Sequence, residues 1–199
     1  TVTATDGTNP STQDITVTVT NVDDVAPVIT SLATFSAAEN QTAIGTVTAT
    51  DVDSTSISFS VSGSDLEITS AGVLTFATAP DYETTTSYSA TITATDGANS
   101  STQDITVSVT DANDAPTFTS SDTFSASENQ TAIGTVTVSD PDGDDITFSI
   151  SGSEIKITQQ GILSFVAAPD YEKRTLYAAI VTASDGISSI TQEIIINVI

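Results

Sequence analysis

Apolar and polar residues alternate along much of this 199-residue chain. Ile105, Val107 and Val109 are separated by polar residues, and the same pattern recurs over residues 15–19. Alternation with a period of two places one face of a β-strand against a core and the other face in water. Thr and Ser at the outward positions suit an extended backbone, and no segment carries the apolar stripe of a helix. The pattern therefore predicts an all-β protein.

The pattern also repeats at a fixed spacing. Residues 39–48 recur unchanged as residues 128–137, 89 positions later. A period near 90 residues is longer than that of solenoid repeats and fits a β-sandwich of about 100 residues. The sequence therefore predicts the C-terminal strands of one repeat followed by two repeats, over residues 1–24, 25–114 and 115–199.

Each repeat is predicted to be a seven-stranded β-sandwich. In the first repeat the strands are expected near 34–38, 44–50, 56–62, 65–69, 72–77, 86–95 and 102–110. Aromatic residues recur at the same spacing, as Phe76 and Phe165 do, which predicts a repeated core. Tyr82 and Tyr171 are interpreted as core or motif-packing residues, which leaves no aromatic face for stacking sugars.

Composition limits the functions that the chain can have. The net charge is −23, from 26 acidic and 3 basic residues. This charge argues against binding to nucleic acid or to anionic membrane surfaces, which need basic patches. Apolar residues make up 38% of the chain, enough for a folded core, and disorder would require fewer. We therefore expect a folded protein whose charge is partly neutralised by cations.

Several features that the sequence lacks say less about its function. The chain has no Cys, which leaves the redox compartment open. It has no run of 18 apolar residues and no signal peptide at its start. It begins in the middle of a repeat, which indicates a piece of a longer protein.

One set of acidic residues keeps its positions in both repeats. Carboxylates that keep their places while their neighbours change are expected to gather around a cation, because they would otherwise repel one another. Without His or Cys, a hard cation with oxygen ligands such as calcium is favoured. The set is Glu39, Asp51, Asp53, Asp81, Glu83 and Asp96, which recur as Glu128, Asp140, Asp142, Asp170, Glu172 and Asp185.

An acidic linker, Asp111-Ala112-Asn113-Asp114-Ala115-Pro116, lies between the two sets. Together with Asp81-Tyr82-Glu83 and Asp140-Pro141-Asp142, in this order along the chain, it resembles the motifs of cadherins. The chain resembles tandem cadherin repeats, and more narrowly the cadherin-like repeats of large bacterial surface proteins, over essentially its whole length. The resemblance implies Greek-key sandwiches with calcium ions, commonly three, where two repeats meet.

The resemblance also implies the calcium ligands. One complete site would take Glu39, Asp81, Glu83, Asp111, Asn113, Asp114, Asp140, Asp142 and Asp185. The lower half of a preceding site would hold Asp23, Asp24, Asp51, Asp53 and Asp96, and the upper half of a following site would hold Glu128, Asp170 and Glu172. The sequence departs from the pattern in a first linker that is one residue longer, and in Lys173 and Arg174, whose charge either weakens calcium binding or faces solvent.

These observations predict a calcium-rigidified extracellular segment of a cell-surface or outer-membrane-anchored adhesion protein, with the anchor in parts of the protein outside this chain. Its partner would be a second copy of itself or a cell-surface glycan. The chain has no Trp, so adhesion by a strand anchored through Trp is not available to it. The alternatives are a passive spacer and a polysaccharide-binding module. Catalysis is disfavoured, because the paired carboxylates recur in each repeat without a supporting His, Cys or Ser.

Overall fold

A computed structural model of the chain describes residues 1–54 and 56–199. These residues form strands and turns, which confirms the predicted all-β class. Within this described part, no helix has the length and apolarity needed to cross a membrane. The chain divides into unit 1, Thr1–Pro80 with Thr86–Thr110, and unit 2, Asp81–Thr85 with Asp111–Ile199.

Unit 1 contains an N-terminal hairpin and a set of sandwich strands. Its strands are β1 (Val2–Thr5), β2 (Pro10–Gln13), β3 (Val28–Ile29), β4 (Thr34–Ala38), β5 (Ala43–Thr46), β6 (Ala49–Thr50), β7 (Ser58–Val61), β8 (Leu66–Ile68), β9 (Val73–Phe76), β10 (Ser87–Thr95) and β11 (Ser100–Thr110). The main sheet has the order β4-β11-β10-β7, and smaller sheets pair β5-β9-β8 and β3-β6. Strands β4 and β11 run parallel, whereas β10 and β11 form a long antiparallel hairpin.

Unit 2 repeats this arrangement. Its strands are β12 (Thr117–Phe118), β13 (Thr123–Ala126), β14 (Ala132–Thr135), β15 (Val138–Ser139), β16 (Thr147–Ile150), β17 (Ile155–Ile157), β18 (Ile162–Phe165), β19 (Leu176–Ser184) and β20 (Ser189–Val198). The sheets are β13-β20-β19-β16, β14-β18-β17 and β12-β15. Each strand therefore has a counterpart in unit 1, as the sequence repeat predicts.

The core of each unit is built from the inward positions of the alternating strands. Ile105, Val107 and Val109 are at most 4% exposed, and Phe76 meets Tyr88 edge to face with 5.2 Å between ring centroids. Phe165 and Tyr177 repeat this contact at 4.9 Å. Burial of these side chains holds the sheets together. The core of unit 2 is Ala126, Val136, Ile155, Leu163, Phe165, Ala179, Val181, Ile194, Ile196 and Val198.

The prediction of one continuous strand over 44–50 is wrong. The segment forms β5 and β6, which belong to different sheets, and Val47 lies between them with 1% of its surface exposed. The backbone N–H of Val47 donates to the carbonyl of Gly72 at 2.8 Å. This contact with the turn between β8 and β9 marks the point where the chain leaves one sheet for the other.

The strand predicted from the alternation of Ile15, Val17 and Val19 is also absent, because β2 ends at Gln13. Val17 and Val19 are 79% and 90% exposed. The described pairing of β1 with β2 ends where Val2 lies opposite Gln13. Local sequence favours a strand over residues 15–20, but a strand needs a partner for its backbone hydrogen bonds, and none of the described strands pairs with these residues.

We expect hydrogen exchange to show this difference directly. Thr16 and Val17 follow the same residues as Thr106 and Val107, so their intrinsic exchange rates match. The amide of Thr106 donates to Ala33 at 2.9 Å within the sheet. The amides of Thr16 and Val17 should therefore exchange at least about 1,000-fold faster than those of Thr106 and Val107. Equal protection of the two pairs would show that residues 15–20 are paired in solution.

Candidate metal centres

In unit 1, short turns hold the predicted acidic ligands close together. The Asp51 carboxylate accepts hydrogen bonds from the backbone N–H groups of Asp53 and Ser54, both at 2.9 Å, and these bonds lower the pKa of Asp51. The Asp53 carboxylate accepts from the backbone N–H of Asp24 at 3.2 Å. The neighbouring Asp51 carboxyl raises the pKa of Asp53. Two acids two residues apart are thus fixed side by side with opposite pKa shifts.

The turn after β10 adds a third acid. The Asp96 carboxylate accepts from the backbone N–H groups of Ala98 at 2.7 Å and Asn99 at 2.6 Å. The side-chain amide of Asn99 donates to the carbonyl of Asp23 at 3.4 Å. Partial desolvation, together with the carboxylates of Asp96 and Asp51, raises the pKa of Asp23. Mutual repulsion of this kind is expected where several carboxylates share a site without a counterion.

Unit 2 has the same geometry. The Asp142 carboxylate accepts from the backbone N–H of Asp114 at 2.7 Å, as Asp53 accepts from Asp24. The first linker therefore makes the equivalent contact despite its extra residue. Asp185 accepts from Ile187 at 2.7 Å and Ser188 at 2.5 Å.

The linker residue Asn113 also contacts this turn. Its side-chain amide donates to Asp185 at 3.1 Å. Desolvation alone would raise the pKa of Asp185. Hydrogen bonds from Ser188, Asn113 and Ile187 outweigh this effect and lower the pKa. The turn is thus arranged to keep Asp185 ionised and oriented beside the linker.

Both units contain buried carboxylate oxygens with no hydrogen-bond partner, and unit 2 also has a buried amide oxygen of this kind. At the acidic sites the unpaired atoms are Oδ2 of Asp51, Asp96 and Asp140, Oδ1 of Asp53 and Asp142, and Oδ1 of Asn113. Asp51 Oδ2 and Asp140 Oδ2 are equivalent in the repeat, as are Asp53 Oδ1 and Asp142 Oδ1. Buried polar atoms are normally hydrogen-bonded, and a buried unpaired carboxylate oxygen is costly. Their recurrence at the same atoms fits ligands for a cation.

In unit 2, two groups of carboxylates converge. Glu83, Asp111 and Asp142 each place one carboxylate oxygen within 4.8 Å of the others, and so do Asp140, Asp142 and Asp144. An open depression of about 280 Å³ is lined by Asp111, Asn113, Asp142, Asp144 and Ile187. The donors are oxygens only, which suits calcium and does not suit zinc or copper.

Asp144 was missed by the sequence comparison. Its backbone N–H donates to the Asp140 carboxylate at 3.2 Å. The equivalent position 55 in the first repeat is Thr, so Asp144 is not one of the acids that both repeats share. The spacing Asp140-Pro141-Asp142-Gly143-Asp144, with an acid at every second residue, is the signal that could have identified it.

The remaining predicted ligands of the complete site lie near strand ends and turns. Glu39 follows β4 in unit 1, is 2% exposed, and has its backbone N–H bonded to the carbonyl of Thr110 at 3.1 Å. Asp81, in unit 2, is exposed and accepts from the backbone N–H of Thr84 at 3.0 Å. These positions remain predicted ligands.

A further group lies at the other end of unit 2. Glu128, Asp170 and Glu172 each bring one carboxylate oxygen within 4.8 Å of the others. Tyr171 donates its backbone N–H to Glu128 at 3.2 Å. The Lys173 ammonium contacts Asp170 at 2.5 Å, which lowers the pKa of Asp170. Tyr171 is 47% exposed, so the core alternative is wrong for this residue, and packing within the acidic motif stays a prediction.

Comparison with known proteins supports the fold. Residues 113–197 match a family described as "Bacterial Ig domain", which is less than half of the chain. No curated protein matches the chain in sequence.

Among solved structures, human protocadherin-24 EC1-2 form II is 20% identical with a TM-score of 0.65, covering 88% of this chain and 99% of that one. Drosophila N-cadherin EC1-4 is 21% identical with a TM-score of 0.60, covering 88% of this chain and 50% of that one. Mouse cadherin-23 EC22-24 is 20% identical with a TM-score of 0.58, covering 88% of this chain and 67% of that one. The predicted resemblance to cadherin repeats is thus confirmed for the fold, that of an immunoglobulin-like β-sandwich.

Proposed function

We propose that this chain is a calcium-binding segment of an extracellular adhesion protein, in which bound calcium makes the linkers between repeats rigid. One observation carries the proposal. The same carboxylate oxygens, Asp51 Oδ2 with Asp140 Oδ2 and Asp53 Oδ1 with Asp142 Oδ1, are buried and unpaired in both units. The two units would not both keep a costly arrangement at the same atoms unless something compensates it.

Calcium is the cation that these donors suit best. It takes 6–8 oxygens and combines carboxylates with carbonyls. In unit 2, Glu83, Asp111, Asp142 and Asp144 offer carboxylates, and the unpaired Asn113 Oδ1 offers a neutral oxygen. A doubly charged ion would offset the mutual repulsion of these groups. Extracellular calcium modules bind with dissociation constants of about 10⁻⁴–10⁻³ M, and we expect this range here.

Stiffening follows from the place of the ligands in the sequence. Asp111, Asn113 and Asp114 belong to the linker, whereas Asp140 and Asp142 follow β15. An ion that binds both groups would fix the linker backbone against the strand end. Binding would therefore reduce the freedom of the chain between repeats, at an entropic cost offset by the metal–oxygen contacts.

The adhesive role rests on similarity alone. The matching structures are named as cadherins and protocadherin, and the matching family is named as bacterial. We propose a non-enzymatic surface module, anchored elsewhere in its parent protein, whose partner is a second copy or a cell-surface glycan. A passive calcium-stiffened spacer would have the same ion sites and no partner.

Small-angle X-ray scattering of the chain in EDTA and then in millimolar calcium tests the proposal. A longer and stiffer particle of constant mass would support calcium rigidification, and a particle of doubled mass in calcium would support homophilic adhesion. Magnesium at the same concentration is the matched control, since it resists losing its waters and binds such sites less readily. An identical scattering profile in EDTA and calcium would contradict the proposal.

A further inference from the structure

The two equivalent acidic turns differ in one respect. In both, the chain folds back on a carbonyl: Asp81 accepts from Thr84 and Thr85, and Asp170 accepts from Lys173 and Arg174. The backbone is therefore the same, but Thr84 and Thr85 are replaced by Lys173 and Arg174. Two of the three basic residues of this chain lie at a single turn.

The two basic side chains have different surroundings. Arg174 makes two hydrogen bonds to the Glu154 carboxylate, at 2.9 and 2.7 Å, and lies 4.1 Å from the centre of the Tyr177 ring. It is thus held by a carboxylate outside the acidic cluster. Lys173 is different, because its ammonium lies 2.5 Å from Asp170 Oδ2, and Asp170 belongs to the cluster with Glu128 and Glu172.

We infer that Lys173 is a built-in competitor for calcium at the cluster of Glu128, Asp170 and Glu172. This inference rests on the proposed function. Calcium binds through carboxylate oxygens, so the Lys173 ammonium and a calcium ion would compete for the same atom, Asp170 Oδ2. A calcium ion must displace this ammonium or bind beside it against charge repulsion.

Lys173 should reduce the calcium affinity of this cluster only moderately. Lys173 is 81% exposed, and exposed ion pairs contribute little and are screened by salt. The side chain can therefore swing into water when calcium binds. Lys173 would make this cluster respond at a higher calcium concentration than a cluster with Thr at the same place, so that one array would stiffen in steps as calcium rises.

The test is a calcium titration of the full chain followed by ¹H–¹⁵N NMR at low salt. The amide of Tyr171, bonded to Glu128, reports on this cluster, and the amide of Asp114, bonded to Asp142, reports on the other. Lys173→Thr should lower the calcium midpoint at Tyr171 by about two- to five-fold and leave that at Asp114 unchanged. Addition of about 0.5 M NaCl should reduce the difference between Lys173→Thr and wild type.

Arg174→Thr is the matched control, because it removes the same charge from the next residue. It should leave the Tyr171 midpoint unchanged, and an equal gain in this variant would overturn the inference in favour of net charge. Equal Tyr171 midpoints in wild type and Lys173→Thr, or no Tyr171 response in either, would also overturn it. If the Asp114 amide of wild type does not respond to calcium, the proposed function is refuted instead.

Discussion

Replacing Asp142 by Asn should weaken calcium binding in unit 2 by roughly 100-fold or more, since even residues that only orient metal ligands contribute 10- to 100-fold. Asp142 belongs both to the group with Glu83 and Asp111 and to the group with Asp140 and Asp144, and its Oδ1 is buried and unpaired. Asn keeps the shape and can still accept from Asp114. The loss would therefore come from the charge and from one ligand oxygen. The calcium midpoint of the Asp114 amide measures it.

Asp145→Asn is the control, because it removes a nearby exposed carboxylate that lies outside both groups. Calcium binding should change little in this variant. The folding stability of Asp142→Asn provides a second check. In EDTA this variant should be at least as stable against unfolding as wild type, since one of several repelling charges is gone. An Asp142→Asn variant that binds calcium as wild type does would remove Asp142 from the ligand set.

Replacing Gly161 by Ala should destabilise unit 2 by roughly 3 kcal/mol or more. Gly161 closes the turn between β17 and β18 with a φ of +77°, and a Cβ there would lie 2.1 Å from the carbonyl oxygen of Val136. That carbonyl belongs to the backbone where the chain changes sheets, and the Val136 N–H donates to Gly161 at 2.9 Å. Neither segment can move without breaking this contact.

Gly152→Ala separates the strain of a left-handed backbone from the steric clash with the Val136 carbonyl. Gly152 has a φ of +81°, and nothing lies within 4 Å of its added Cβ. It should cost only the strain of a left-handed residue, about 1–2 kcal/mol. Urea unfolding in EDTA, followed by NMR signals of residues 116–199, measures both variants without a contribution from bound calcium. Equal losses in the two variants would show that the close approach to Val136 is relieved cheaply.

The strands and the core could be predicted because they depend on local pattern and repetition. The alternation of Ile105, Val107 and Val109 fixes which face of β11 is buried, and the recurrence of Phe76 as Phe165 identifies a shared core position. The acids Asp51, Asp53 and Asp96 could be selected because they keep their places in the next repeat.

Other features depend on contacts between distant segments. The division of 44–50 into two strands comes from the contact of Val47 with Gly72, and nothing in the alternating residues marks it. Residues 15–20 have strand-forming side chains but pair with none of the described strands, and local sequence does not show which strand a segment pairs with. Asp144 was not predicted as a ligand because an acid occurs at this position in one repeat only.

Residues 15–20 lie outside the described strands, which affects how association of this chain is interpreted. They alternate β-branched apolar residues with Thr and contain neither a charge nor a proline, although charges and prolines are what normally protect a free strand edge. Two copies could pair through this segment without calcium and without any adhesive surface. Mass growth seen equally in EDTA and in calcium would therefore indicate strand pairing, whereas mass growth that requires calcium would indicate adhesion.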